Sequence, residues 1–125
     1  MTTWTPSELD AIGRAEELEI SSARGDGSLT KPVTIWVVRC GDDLYVRSAV
    51  TFAKALWYRA TKVSRTGHIS AGGVEKDVAF VAAEREKTEE VDAAYWTKYG
   101  KYAKKIVEPC VSREAKATTI RLVPR

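Results

Sequence analysis

The sequence predicts an α+β protein: six strands forming a small, largely antiparallel barrel, with about three helices plugging or covering its ends. Three observations lead there. Short runs of strand-like residues recur through the 125 residues, mostly separated by tight turns. One run, residues 33–38, is apolar on both faces apart from Thr34, so it needs protein on both sides, a barrel interior on one and a helix or second subunit on the other. The single long connection between strands, after Ser48, has helical composition.

The elements follow in order. Thr5-Pro6-Ser7-Glu8 is a helix start: Thr5 caps, Pro6 suits the first helical position, and Glu8 sits where a capping-box partner belongs. Trp4 precedes the cap and can staple onto Leu9. Leu18-Glu19-Ile20-Ser21 alternates and reads as the first strand. Arg24-Gly25-Asp26-Gly27 is a turn. Residues 32–48 then form a central hairpin, with Gly41-Asp42-Asp43 as its turn and Leu44 and Val46 facing inward on the return.

Residues 52–60 have helical composition, with Thr51 as a candidate cap. His68-Ile69-Ser70 is a short strand, Ala71-Gly72-Gly73 a hairpin-like break, and residues 74–80 a fifth strand. Glu84 to Glu90 opens a solvated helix. Val91, Ala94, Tyr95, Lys98, Tyr99 and Tyr102 continue it at helical spacing, as a stripe expected to pack on the barrel. Pro109 ends that region, Ser112 starts a brief helical turn, and residues 118–123 alternate as the last strand. Nothing in the pattern divides the chain, so residues 1–125 read as one domain.

Composition narrows the function. Hydrophobic residues make up 44% and charged residues 30%, as in a folded globular protein. No apolar run approaches the roughly 20 residues that cross a bilayer. The N-terminus lacks a basic region followed by an apolar block, so a cytoplasmic location is expected. Basic and acidic residues, 20 and 17, are interleaved along most of the chain; this reads as a solvated surface, not a nucleic-acid interface. Cys40 and Cys110 stand far apart without a C-x-x-C, and His68 is the only histidine, so neither a disulfide nor a metal site is expected. His68 has no carboxylate at motif spacing, and no catalytic signature appears elsewhere.

Lys31-Pro32-Val33-Thr34-Ile35-Trp36, Leu44-Tyr45-Val46-Arg47-Ser48, the helix through Trp57-Tyr58-Arg59, and Ser64-Arg65-Thr66-Gly67-His68-Ile69 together resemble the flavin-binding split β-barrel superfamily, which includes pyridoxamine-phosphate-oxidase-like proteins and deazaflavin-dependent nitroreductases. More narrowly, nearly the whole chain is similar to a bacterial family of uncharacterised domains, DUF2255. The matching residues are Trp4-Thr5, Glu8-Leu9, Val33-Thr34-Ile35-Trp36-Val37-Val38, Tyr45-Val46-Arg47-Ser48, Ala71-Gly72-Gly73-Val74 and Ile120-Arg121-Leu122-Val123-Pro124.

The resemblance implies a six-stranded split barrel that binds FMN or a deazaflavin beside the central hairpin. Residue by residue it points to Lys31, Thr34, Arg47, Ser48 and Lys54 around a phosphate, and to Trp57 near the ring. Arginine, lysine and a helix N-terminus have the chemistry for that anion; the plainer reading of Arg47 is a surface pair with Asp43 or Glu75. The resemblance also implies a homodimer through the hairpin over residues 32–48, and a flavin- or deazaflavin-dependent oxidoreductase acting on a small organic substrate. The alternative is a non-redox small-molecule or cofactor-binding module on the same fold.

Overall fold

Residues 3–48 and 56–125 are described by a computed structural model. In chain order they form α1 (Pro6–Arg14), β1 (Leu18–Ser22), β2 (Val33–Ile35), β3 (Val38–Cys40), β4 (Asp43–Val46), α2 (Leu56–Ser64), β5 (Thr66–Ala71), β6 (Val74–Ala82), α3 (Thr88–Tyr99), α4 (Lys104–Val107), α5 (Arg113–Lys116) and β7 (Ile120–Pro124). Every strand pairing is antiparallel, in the order β2-β1-β5-β6-β7-β4-β3.

The strands number seven among the described residues, where six were expected. The run from Val33 breaks at Trp36-Val37 and serves both edges of the sheet, β2 pairing with β1 and β3 with β4. The break costs little because α3 supplies the missing backbone partners. The Val37 N–H donates to the Tyr99 hydroxyl at 3.2 Å, and the Val37 carbonyl accepts from Lys98 Nζ at 2.7 Å. The two-sided burial expected of this run holds only for its second half. Val37 and Val38 are fully buried, whereas Val33 and Thr34 are exposed on the edge strand.

Two packed clusters result. Inside the barrel lie Leu18, Ile20, Leu44, Val46, Ile69, Val78 and Leu122, with Trp4, Leu9 and Ile12 from the α1 region. Outside it, α3 covers β3 and β4, burying Val38 and Tyr45 against Val91, Tyr95 and Tyr99. The tyrosine stripe therefore packs on the barrel, as its spacing predicts. Trp36 stacks on the Tyr99 ring at 3.9 Å between centroids, 3° from parallel.

The helices close the two ends. At α1, Thr5 and Glu8 form the expected reciprocal capping box, with Glu8 N–H donating to Thr5 Oγ1 at 3.1 Å and Thr5 N–H to Glu8 Oε1 at 2.9 Å. This helix rests on the β5–β6 turn so closely that a Cβ at Gly72 would lie 2.3 Å from the Ala11 carbonyl oxygen. Gly72 and Gly73, with φ of 58° and 83°, make that turn in two residues and set Ala71 opposite Val74 and His68 opposite Asp77. α2 closes the other end, entering the barrel core with Tyr58 and running directly into β5. Among the described residues five helices stand where about three were expected, because the C-terminal stretch divides into α3, α4 and α5.

Candidate functional site

A cleft of about 550 Å³ opens at the α2 end of the barrel, between α2, the end of β6 and the start of β7. Its walls include Tyr58, Thr61, Lys62, Arg65, Phe80 and Thr119. The volume falls in the range of small-molecule sites, about 300–1,000 Å³.

Local sequence places these side chains. Tyr58 and Lys62 are one helical turn apart, so they share a face of α2; Lys62 Nζ lies 5.4 Å from the Tyr58 ring centroid and 3.4 Å from its hydroxyl. Phe80 can lie across β5 because position 67 is glycine: a Cβ there would meet the Phe80 ring at 2.7 Å and the Ser21 carbonyl oxygen at 2.0 Å. Arg65 ends α2 in the left-handed region, φ 60°, with its N–H on the Thr61 carbonyl at 2.9 Å. Its own carbonyl accepts from Phe80 N–H at 2.8 Å. Glycine is the usual residue at this kind of helix end, and another L residue there costs roughly 1–2 kcal/mol.

The charge of the cleft is one-sided. Lys62 and Arg65 are exposed and have no carboxylate partner among the described residues. No carboxylate, thiol or imidazole stands among the lining residues. Sequence reasoning missed Lys62 and Arg65 as site residues, although a signal was present. Between Asp43 and Glu75 the chain has no acidic residue, while Arg47, Lys54, Arg59, Lys62 and Arg65 all fall there.

The residues expected around a phosphate are not gathered in this cleft. Arg47 is 3% exposed and its donors are used inside the protein. Nε donates to Thr119 Oγ1 at 2.9 Å, Nη1 to Asp92 Oδ1 at 2.5 Å and to the Cys110 carbonyl at 2.9 Å, and Nη2 to the Thr88 carbonyl at 3.0 Å. Its ion-pair partner is thus Asp92, not Asp43 or Glu75. Arg47 reaches the cleft only through Thr119, whose hydroxyl it holds. Ser48 is buried next to it, its N–H donating to Thr118 Oγ1 at 2.9 Å. Lys31 and Thr34 are exposed, just before and on β2, and do not line the cleft. Trp57 is half-buried against the barrel core, edge-on to Tyr58 at 6.2 Å. Lys54 and the candidate cap Thr51 lie outside the described residues.

His68 gains partners that its sequence neighbourhood did not suggest. Nδ1 lies 3.0 Å from Asp77 Oδ1 and Nε2 3.2 Å from Glu75 Oε1, both on β6. The Asp77 hydrogen bond, with help from Glu75, holds the imidazole above its ordinary pKa against a smaller opposing effect of burial. The two-residue glycine turn dictates this pairing, so counting back from it would have found Asp77. The thiols stay protonated: burial pushes Cys40 up, and Cys110 up to about 11. No group of three or more His, Cys, Asp or Glu is arranged to hold a metal among the described residues. No helix among them is long and apolar enough to cross a membrane.

A bacterial family described as uncharacterised and conserved, DUF2255, matches residues 8–122. The chain belongs to this family. No curated protein has a matching sequence. Solved structures share the fold at low identity. A conserved hypothetical protein from Mycobacterium tuberculosis is 12% identical with a TM-score of 0.63, over 99% of this chain and 81% of that one. An F420 reductase is 17% identical with a TM-score of 0.57, over 94% and 90%. A putative pyridoxamine 5'-phosphate oxidase from Listeria innocua is 10% identical with a TM-score of 0.59, over 94% and 88%. The haem storage protein HutZ from Vibrio cholerae, 14% identical, reaches 0.63 over 100% and 92%. The fold is thus shared with an F420 reductase and a putative pyridoxamine 5'-phosphate oxidase, in keeping with the likeness that the hairpin and crossover suggested.

Proposed function

We propose that this protein binds a flavin-type cofactor, FMN or a deazaflavin, in the cleft at the α2 end of the barrel, and works as a split-barrel oxidoreductase on a small organic substrate. The observation that carries this reading is the cleft itself: two aromatic side chains, Tyr58 and Phe80, beside two cations without carboxylate partners. An aromatic wall suits a planar ring, and unpaired cations suit an anionic tail. The F420 reductase and the putative pyridoxamine 5'-phosphate oxidase among the structural neighbours support the choice of ligand class.

When bound, such a group supplies hydride transfer, and the protein supplies binding, orientation and exclusion of water. Tyr58 and Phe80 present apolar surface to the ring. Lys62 and Arg65 attract the anionic part. Arg47, from behind, fixes the Thr119 wall. The lack of a carboxylate, thiol or imidazole among the lining residues accords with chemistry carried by a cofactor. It accords equally with the alternative, a non-redox binding module on this fold, so binding and turnover are measured separately. Quenching of flavin fluorescence on titration with the protein is the expected result; no quenching with FMN or a deazaflavin removes the proposal. Binding without turnover of any reductant leaves the module.

A homodimer remains part of this proposal. Since α3 covers β3 and β4 within the same chain, the hairpin surface left for a second copy is β2, where Val33 is 37% exposed. Sedimentation showing only monomer at micromolar concentration would remove the dimer.

A further inference from the structure

We infer that Arg65 and Lys62 form a clasp for a phosphate group, so that the cleft selects phosphorylated ligands over their unphosphorylated counterparts. The inference rests on the reading above for the ring, and adds which part of the ligand is recognised and by what.

Arg65 is the one non-glycine residue with positive φ among the described residues; Gly27, Gly41, Gly72 and Gly73 occupy the others. Its backbone is held from both sides, by Thr61 and by Phe80, so the conformation belongs to the fold and not to the side chain. Glycine would meet the same backbone demand without strain. The guanidinium does not repay that strain through an ion pair, since no carboxylate holds it among the described residues. What the side chain contributes is a fork of donors at the mouth of the cleft, three residues beyond Lys62.

The surroundings restrict what that fork can meet. The Thr61 hydroxyl donates to the Tyr58 carbonyl at 2.6 Å. The Thr119 hydroxyl donates to the Lys116 carbonyl at 2.7 Å while accepting from Arg47. Both threonines are therefore committed, and among the described lining side chains the two cations, with the Tyr58 hydroxyl that accepts from Lys62, are the donors left on this side of the cleft. The C-terminal end of α2 carries about half a negative charge, which repels anions. A single cation there more than offsets the helix end. Two full charges leave a surplus that a phosphate can use, with arginine contributing paired hydrogen bonds and lysine a point charge.

The test compares wild type with Arg65→Gly, Arg65→Lys and Lys62→Gln, using inorganic pyrophosphate, FMN and riboflavin at fixed ionic strength. Arg65→Gly keeps the backbone geometry, so it is expected to fold and to melt a few degrees higher than wild type without ligand. Pyrophosphate is expected to raise the melting temperature of wild type and to lose most of that effect in Arg65→Gly and Lys62→Gln. FMN is expected to bind wild type at least about tenfold more tightly than riboflavin, the ratio falling towards one in Arg65→Gly and to an intermediate value in Arg65→Lys. An unchanged pyrophosphate response and FMN-to-riboflavin ratio in Arg65→Gly would overturn the clasp, as would wild type that ignores pyrophosphate and does not distinguish the two flavins. Riboflavin binding with no phosphate preference leaves the flavin reading standing without the clasp. A pyrophosphate response lost in Arg65→Gly, with no flavin bound, leaves the clasp and removes the flavin.

Discussion

Arg47 and Arg65 show how one residue type takes opposite roles eighteen positions apart. Arg47 is buried, and its four hydrogen bonds reach α3 at Thr88 and Asp92, the 3-10 turn at Cys110, and Thr119 before β7. Its guanidinium also lies 5.5 Å from the Tyr95 ring centroid. Its loss leaves the Cys110 carbonyl and the Thr119 hydroxyl short of a buried donor and leaves Asp92 with Lys116 alone, 3.1 Å away, at roughly 3–5 kcal/mol in all. Arg47→Ala is expected to destabilise the fold by about that amount, and Arg47→Lys to recover only part of it, because one ammonium cannot reach four acceptors spread over three directions. Urea denaturation of the three proteins measures both. A loss below about 1 kcal/mol for Arg47→Ala would show that the network is not a structural bracket. Sequence could nominate Arg47 as important, but not its direction: Asp92, Cys110 and Thr119 are all more than forty positions away. Arg65 was equally visible as a letter and gave no hint of a left-handed backbone, since nothing in Ser64-Arg65-Thr66 resembles a glycine stop.

At the scale of elements, what was legible depended on how local the cause was. The α1 start was readable because a capping box spans four residues, and the tyrosine stripe because helical spacing is local. The double strand of residues 33–40 was not, because the partners of Val37 come from α3, some sixty positions on. The β5–β6 hairpin lies between these cases. Its register follows from Gly72-Gly73, and with it the placement of His68 between Asp77 and Glu75. That placement makes the hairpin pH-sensitive in a defined direction. The folded imidazole titrates above its ordinary value of 6.5, so the folded state binds the proton more tightly than the unfolded chain does. The resulting stability is fully present below the unfolded pKa and is lost as pH rises through the folded one. Urea midpoints of wild type and His68→Gln between pH 5.5 and 8.5 are expected to differ most at the acidic end and to converge as pH rises. A gap that is constant, or that widens with pH, would contradict the charge-assisted pairing.

The whole molecule is a barrel because two sheet edges are joined by two residues. β2 and β3 stand at opposite ends of the strand order, yet only Trp36 and Val37 separate them. The three-residue step from Ile35 to Val38 reaches at most about 11 Å, so the sheet must curl until its edges nearly meet. An open sheet of this order is impossible for this chain. The same step explains why α3 is more than a cover: Tyr99 and Lys98 satisfy the Val37 backbone where no strand can, and Tyr99 also carries the Trp36 ring. Closure of the barrel and docking of α3 are therefore one event. Tyr99→Phe tests this at the smallest scale available, keeping the ring and removing one oxygen. The Val37 N–H loses its acceptor in a buried position, while the Val37 carbonyl keeps Lys98. An unsatisfied buried donor costs about 1–3 kcal/mol, so Tyr99→Phe is expected to lose that much stability. Native-state hydrogen exchange should locate the loss: faster exchange at Val37 and along the β3–β4 pairing, with the β5–β6 hairpin keeping its protection relative to the global stability. If the variant exchanges uniformly faster everywhere, the join is no weaker than the rest of the sheet. If stability does not change at all, closure depends on the side-chain packing of Val37, Val38 and the tyrosine ring, and the hydroxyl is not its latch.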